Sequence, residues 1–163
     1  MIARLVVSDT SPLRALAHLG AVELLESLFS EVFVPPAVAA EVAVARAKLP
    51  PLDLSRWSFV RVVSVADVTR AAAFTAGLHP GETESIALAL QLGASHVLMD
   101  ERDGREASRA AGLVPVGVLG LPVEFKRAGL IPAVAPLIDR LITEIDFFVT
   151  PGVRGQVLRL AGE

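Results

Sequence analysis

The sequence predicts an α/β fold in which a parallel sheet carries helices on both faces. Two observations lead to this prediction. Short apolar stretches typical of strands alternate along the chain with stretches whose apolar residues have helical spacing, and Gly and Pro residues separate them. A chain of 163 residues has the size of one ordinary domain, and it contains no internal repeat and no long linker. We therefore expect a single domain over residues 1–163.

The first strand, residues 4–8, leads into a helix that we expect to reach about His18. Ser11 is a favourable N-cap with Pro12 behind it, and Gly20 is a typical helix stop. Further strands are predicted at residues 31–35, 57–65, 95–99 and 113–118. Helices are predicted at residues 21–29, 36–49, 67–77, 82–92, 103–112, 121–129 and 133–145, and a last strand and helix in the tail, 146–163.

Composition excludes several classes of protein. The chain has no cysteine, which excludes disulfides, thiolate zinc sites and cysteine nucleophiles and is typical of a cytoplasmic protein. The longest apolar run, residues 110–123, is broken by Gly and Pro and is shorter than the roughly 20 residues of a spanning helix. We expect neither a membrane segment nor a signal peptide.

The net charge and the hydropathy of the chain indicate which binding partners it can have. The net charge is −3 and the pI is about 5.6, so any role with nucleic acid must depend on a local site. The hydrophobic fraction of 53% and the mean hydropathy of +0.58 are high, and they favour a buried interface such as that of a homodimer.

Acidic residues lie where the predicted strands end. Asp9 and Asp100 each follow a strand, and ligands of parallel sheets bind outside the carboxyl ends of the strands. Glu41 lies in the apolar run AVAAEVAVA, and Glu84 lies with Glu82 in the first turns of a helix. Each acid also has an ordinary explanation: Asp9 as a helix cap, Glu41 on a solvated stripe, and the two glutamates favoured by the helix dipole.

Carboxylates that cluster repel one another unless a cation neutralises them. Oxygen-only ligand sets suit Mg²⁺ or Mn²⁺, and such ions often act on phosphate esters. Arg102 or Arg105 could bind a flanking phosphate, although both could equally be solvated helix residues. His79, next to Pro80, is better explained as a turn residue than as a general base.

Four stretches, VVSDTSPL, VPPAVAAEV, HPGETESIALALQLG and VLMDERDGREAS, resemble the PIN domain. The likeness is greatest to the VapC-type toxins and to a prokaryotic subgroup of PIN-like proteins. It covers about residues 4–130, which leaves a helical extension at about 131–163. The resemblance implies a three-layer α/β/α sandwich with a central, mainly parallel sheet and the activity of a Mg²⁺- or Mn²⁺-dependent endoribonuclease.

The resemblance also implies a set of site residues. Asp9, Glu41, Glu84 and Asp100 match the family's catalytic, metal-binding acids, and the hydroxyls of Thr10 and Ser11 match those that steady the first acid or its metal water. This sequence has Glu where many toxins have Asp at the third acid. At the fourth, Asp100, Glu101 and Asp103 are alternatives, with Asp103 and Arg105 in supporting positions.

The function expected from these features is hydrolysis of RNA phosphodiester bonds, and in a VapC-like toxin an antitoxin protein would be the partner. The alternative is a catalytically degenerate PIN-like module that engages a partner protein or nucleic acid.

Two other classes of protein with acids at strand ends fit this sequence poorly. Haloacid dehalogenases need an Asp at the position of Ser11, and response-regulator receivers need a lysine that neither Lys48 nor Lys126 is placed to supply.

Overall fold

The computed structural model describes all residues, 1–163, and has a five-stranded sheet at its centre. Every neighbouring pair of strands is parallel, and the order is β3-β2-β1-β4-β5. The chain fills one side of β1 first and then crosses to the other, so the strand order reverses beside β1. The strands are β1 (Ala3–Ser8), β2 (Phe29–Val34), β3 (Val60–Val62), β4 (His96–Leu98) and β5 (Val114–Val116).

The chain has eight helices, of which the first seven pack on the two faces of this sheet and the last packs against the two helices before it. They are α1 (Thr10–Leu19), α2 (Leu24–Leu28), α3 (Pro36–Val42), α4 (Pro80–Leu92), α5 (Arg102–Ala110), α6 (Gly120–Arg127), α7 (Ala135–Ile145) and α8 (Pro151–Leu160). Successive residues of a strand point to opposite faces. Val6 accordingly packs in a core with α1, α2, α3, α6 and α7, whereas Val7 packs in a second core with α4 and α5. The predicted α/β sandwich with a parallel sheet is confirmed.

The start of α1 differs from the prediction. Asp9, rather than Ser11, occupies the N-cap position with an extended backbone, and the helix begins at Thr10. The side chain of Asp9 makes no capping hydrogen bond, which leaves its carboxylate available for other contacts. The predicted stop is confirmed, since Gly20 ends the helix in the left-handed region with φ of 66°.

Helix α3 is shorter than the predicted 36–49 and ends at Val42. The chain beyond it folds into a reverse turn in which Arg46 and Leu49 exchange two backbone hydrogen bonds of 2.9 Å. Ala47, inside that turn, has φ of 50°. The guanidinium of Arg14 donates to the carbonyls of Glu41 and Val44, so a contact from α1 satisfies carbonyls at the end of α3.

Other boundaries also need correction. Strand β2 begins at Phe29, so the helix predicted for 21–29 is reduced to Leu24–Leu28. The strand predicted at 57–65 is limited to Val60–Val62, and the helix predicted at 67–77 is only a 3₁₀ turn, Val68–Ala71, capped by Asp67. A second 3₁₀ turn is Leu54–Arg56. The tail contains the predicted helix, α8, but not the predicted strand.

The last two helices pack against the rest of the chain. Leu141 of α7 belongs to the larger core, and Val134 and Ile138 pack with Val123 of α6. This packing supports the prediction of one domain over residues 1–163 with a helical extension from about 131, which stays a prediction. None of the helices combines the length and apolar character needed to cross a bilayer.

Candidate active site

A cavity of about 820 Å³ opens where β1 and β4 end and the strand order reverses. This is the place at which parallel sheets usually bind ligands. Its acidic side chains come from the ends of β1 and α3 and from the first turns of α4 and α5: Asp9, Glu41, Glu82, Glu101 and Asp103. Thr10, Ser11 and His79 also line it, as do three arginines, Arg14, Arg46 and Arg102.

Asp9 is the buried centre of this arrangement. Only 5% of the residue is exposed, and its backbone N–H donates to the Leu98 carbonyl on β4 at 2.9 Å. Burial raises the pKa of Asp9 to about 6; the Thr10 backbone N–H offsets part of that rise, and the charges of Glu82, Glu41 and Glu101 add to it. Three other carboxylates therefore lie close enough to Asp9 for their charges to act on it.

Glu41 lies beside Asp9 and is held there by one hydrogen bond. The Thr10 hydroxyl donates to its Oε2 at 2.6 Å. Its Oε1 and the Oδ1 of Asp9 both face Gly81, and a Cβ on that glycine would stand 3.0 Å from the first oxygen and 3.2 Å from the second. The absence of a side chain at residue 81 thus gives the two carboxylates room to approach.

The third acid of the cavity is Glu82 rather than the expected Glu84. Glu82 is only 6% exposed, and its Oε2 accepts a hydrogen bond from the His79 backbone N–H at 3.1 Å. Glu84 does not line the cavity, and its Oε2 accepts from the Ala37 backbone N–H at 2.9 Å, which ties α4 to the first turn of α3. The signal in the sequence was the stretch His79-Pro80-Gly81-Glu82, since a Glu three residues after an N-cap often turns back toward it.

The fourth expected acid, Asp100, also lies outside the cavity lining. Its Oδ1 accepts from the Val118 backbone N–H at 3.0 Å, which joins the end of β4 to the segment after β5. Glu101, the N-cap residue of α5, and Asp103 in its first turn are exposed and do line the cavity. Of the other expected residues, Thr10 and Ser11 line the cavity, whereas Arg105 lies against Gly117 beside Asp100.

The donor atoms suit a hard divalent cation, although no three His, Cys, Asp or Glu side chains form a ready-made ligand set in this structure. All five acids offer oxygen, which Mg²⁺ and Mn²⁺ prefer. Asp9 and Glu41 converge on the space over Gly81. A cation there would relieve the crowding of charge that contributes to the raised pKa of Asp9.

Acids gathered at the carboxyl edge of a parallel sheet define a class of sites that suits metal-assisted chemistry on phosphate esters. A family model described as a PIN domain (DUF3368) matches residues 5–163, and the chain belongs to this family. PIN domains are generally nucleases and typically use divalent metals. The resemblance expected from four motifs over about residues 4–130 is confirmed, and the match extends through α7 and α8. No curated protein matches the chain.

Proposed function

We propose that this protein is a metal-dependent endoribonuclease that hydrolyses RNA phosphodiester bonds with Mg²⁺ or Mn²⁺. The observation that carries the proposal is the environment of Asp9. This buried carboxyl group lies at the end of β1, where Glu41, Glu82 and Glu101 are close enough to raise its pKa. Membership in a family that is generally nucleolytic supports the same class of reaction.

Each acid has a distinct part in this proposal. Asp9 would hold the cation from the rigid end of β1. Glu41 would do so through Oε1, because Thr10 occupies its Oε2. Glu82 would contribute Oε1, since its Oε2 is engaged by the His79 N–H. When bound, the cation would polarise a phosphoryl oxygen and lower the pKa of water.

The proposed set of acids differs from the expected one at two positions. Glu82 replaces Glu84, because Glu84 is bonded to the start of α3 and does not line the cavity. Glu101 replaces Asp100 as the fourth acid, because Glu101 contributes to the raised pKa of Asp9 whereas Asp100 is bonded to the Val118 N–H. Asp103 lies on the same cavity wall and would assist Glu101.

A second candidate function is a PIN-like module that binds a partner protein or nucleic acid without cutting. The observation that favours it is the lack of three acids arranged as a ligand set. Under this alternative, the acids around Asp9 would repel one another without any cation to neutralise them, and purified protein would bind no metal.

The experiment that separates the two functions is a calorimetric Mn²⁺ titration with an RNA-pool cleavage assay on the same samples. We expect wild type to bind Mn²⁺ and cut RNA, and Asp9→Asn and Glu82→Gln to lose both. Glu84→Gln is the matched control, because it removes an acid two residues from Glu82 that does not line the cavity. Wild type that binds no Mn²⁺ at millimolar concentration would support the binding module instead.

Three further expectations stay predictions: a homodimer, an antitoxin partner and a cytoplasmic location. Several large apolar side chains are exposed, among them Val114 on the edge strand β5 and Phe148, which is 86% exposed. These side chains would be available to an interface. Light scattering on the purified chain would establish whether it is a dimer.

A further inference from the structure

Arg14 carries a charge that the protein buries and only partly pairs. The residue is 6% exposed, and its Nη2 donates to the carbonyls of Glu41 at 2.6 Å and Val44 at 2.7 Å. Its Nε and Nη1 are buried and have no hydrogen-bond partner. A buried guanidinium with free N–H groups is unfavourable unless a ligand completes its pairing.

Arg46 brings a second positive charge to the same part of the cavity. Both arginines line the cavity with Val44 and Ala45, at the end of α3. Arg46 takes part in none of the ion pairs of the chain, and its backbone is fixed by the reverse turn with Leu49. Burial lowers the pKa of Arg14, and the positive charge of Arg46 lowers it further.

The cavity therefore contains side chains of both charges. None of the five acids forms an ion pair with Arg14 or Arg46, although all seven residues line one space. A ligand that suits both sets of charges must be anionic at Arg14 and Arg46 and must suit a cation at the acids. A nucleic acid strand has this chemistry, because one phosphate can lie at the two arginines while a neighbouring phosphate lies at the acids.

We propose that Arg14 and Arg46 form a subsite for an RNA backbone phosphate next to the phosphate that the carboxylates act on. This inference rests on the proposed ribonuclease function and adds the residues that hold the strand. The guanidinium of Arg14 would donate from one of its unpartnered N–H groups to a phosphate oxygen, because Nη2, which forms the side-on fork of arginine together with Nε, is engaged by the two carbonyls. Arg46 would close over the same phosphate from the turn.

The test measures RNA binding without catalysis. Fluorescence anisotropy of a labelled single-stranded RNA eight nucleotides long, in EDTA, gives affinity at a series of salt concentrations. We expect Arg46→Ala to weaken binding about 3- to 10-fold and to reduce the slope of log affinity against log salt by about 0.7, as for one lost phosphate contact. Arg109→Ala removes the same charge from an exposed position on α5 that does not line the cavity, and both quantities should keep their wild-type values.

Arg14 is tested by Arg14→Lys, which keeps the charge but removes the planar guanidinium and its unpartnered N–H groups. We expect weaker RNA binding with a nearly unchanged salt slope, and thermal melting will show whether the variant is folded. Arg46 is exposed, so Arg46→Ala remains informative even if Arg14→Lys does not fold.

The two proposals can fail separately. Wild-type RNA affinity and salt slope in Arg46→Ala would overturn the phosphate subsite, as would a wild type that binds no RNA. Neither result would alter the loss of Mn²⁺ binding and cleavage expected of Asp9→Asn. If Asp9→Asn keeps both, the ribonuclease site is wrong even where the arginine variants bind RNA weakly.

Discussion

The hydroxyl of Thr10 donates a hydrogen bond of 2.6 Å to Oε2 of Glu41, and it joins two residues that are 31 positions apart. Thr10 begins α1 directly after β1, whereas Glu41 lies near the end of α3. Thr10 is buried and Glu41 is exposed, so the bond restrains a carboxylate that would otherwise move in solvent. It leaves Oε1 of Glu41 directed at the space beside Asp9.

Replacing Thr10 with Val should weaken metal binding while the fold persists. Valine keeps the shape of the side chain but cannot donate to Glu41, so the carboxylate loses its restraint. A hydrogen bond to a charged group contributes roughly 1.5–3 kcal/mol when buried; because Glu41 is exposed, we expect a smaller effect, an Mn²⁺ affinity about 5-fold lower by calorimetry. Thr10→Ser keeps the hydroxyl and should bind as wild type; equal affinity in Thr10→Val would contradict the role given to this bond.

Replacing Gly81 with Ala should weaken metal binding without lowering the stability of the fold. Alanine favours a helix interior over glycine by roughly 0.5–1 kcal/mol, and Gly81 lies in the first turn of α4, so the melting temperature should hold or rise slightly. The new Cβ would stand 3.0 Å from Glu41 Oε1 and 3.2 Å from Asp9 Oδ1, which forces the carboxylates apart. We expect Mn²⁺ affinity to fall several-fold.

The control for Gly81→Ala is Gly155→Ala on α8. A Cβ at residue 155 would meet only the Arg159 guanidinium, at 3.4 Å. This variant should gain similar helix stability and keep wild-type affinity for Mn²⁺. Unchanged Mn²⁺ affinity in Gly81→Ala would show that the cation does not lie between Asp9 and Glu41.

Of the four acids in the proposed site, Asp9 and Glu41 are also the ones predicted from the sequence, whereas the proposed Glu82 and Glu101 take the place of the predicted Glu84 and Asp100. Asp9 lies between an apolar strand and a helix, and this local pattern places it at the carboxyl edge of the sheet without any knowledge of how the helices pack. Glu82 and Glu84 lie two residues apart on one helix and so face nearly opposite directions. Which of them reaches the cavity depends on the rotation of α4, and the sequence does not show that rotation, because residues 85–89 are all buried and give the helix no single apolar face.

The end of α3 is a second feature that local sequence cannot give. Residues 36–49 have favourable composition for a helix, but the guanidinium of Arg14 engages the carbonyls of Glu41 and Val44 and the chain turns away. Arg14, which binds these carbonyls, is 27 positions from Glu41 and 30 positions from Val44 in the chain. The same contact places Arg46 at the cavity. The residues wrongly predicted as helix therefore include Arg46 of the proposed phosphate subsite.

The stability of the metal-free protein should depend on pH through Asp9. The pKa of this group is raised from 3.8 to about 6, so the folded state prefers the protonated carboxyl. Its contribution to stability is fully present below pH 3.8 and is lost as pH rises through about 6. The loss amounts to roughly 3 kcal/mol as an order of magnitude.

Asp9→Asn removes this charge and should therefore be more stable than wild type at neutral pH in EDTA. The advantage should shrink as pH falls from about 7 to about 4, because the wild-type carboxyl becomes protonated in that interval. Urea unfolding at several pH values measures the difference in unfolding free energy between Asp9→Asn and wild type. Glu26→Gln, which removes one charge from an exposed position on α2, is the control. An advantage that does not vary with pH would show that burial of Asp9 is not its cause.

The fourth acid can be identified by comparing Asp100→Ala with Glu101→Gln. Asp100 accepts from the Val118 N–H, and losing that acceptor should cost about 1–2 kcal/mol in the free energy of unfolding while Mn²⁺ affinity stays within about twofold. Glu101 is exposed and adds to the raised pKa of Asp9, so Glu101→Gln should keep wild-type stability and bind Mn²⁺ several-fold more weakly. Urea unfolding and calorimetry on the same two variants give both quantities. The opposite pattern, with Mn²⁺ binding lost only in Asp100→Ala, would mean that Asp100 leaves the Val118 N–H to bind the cation.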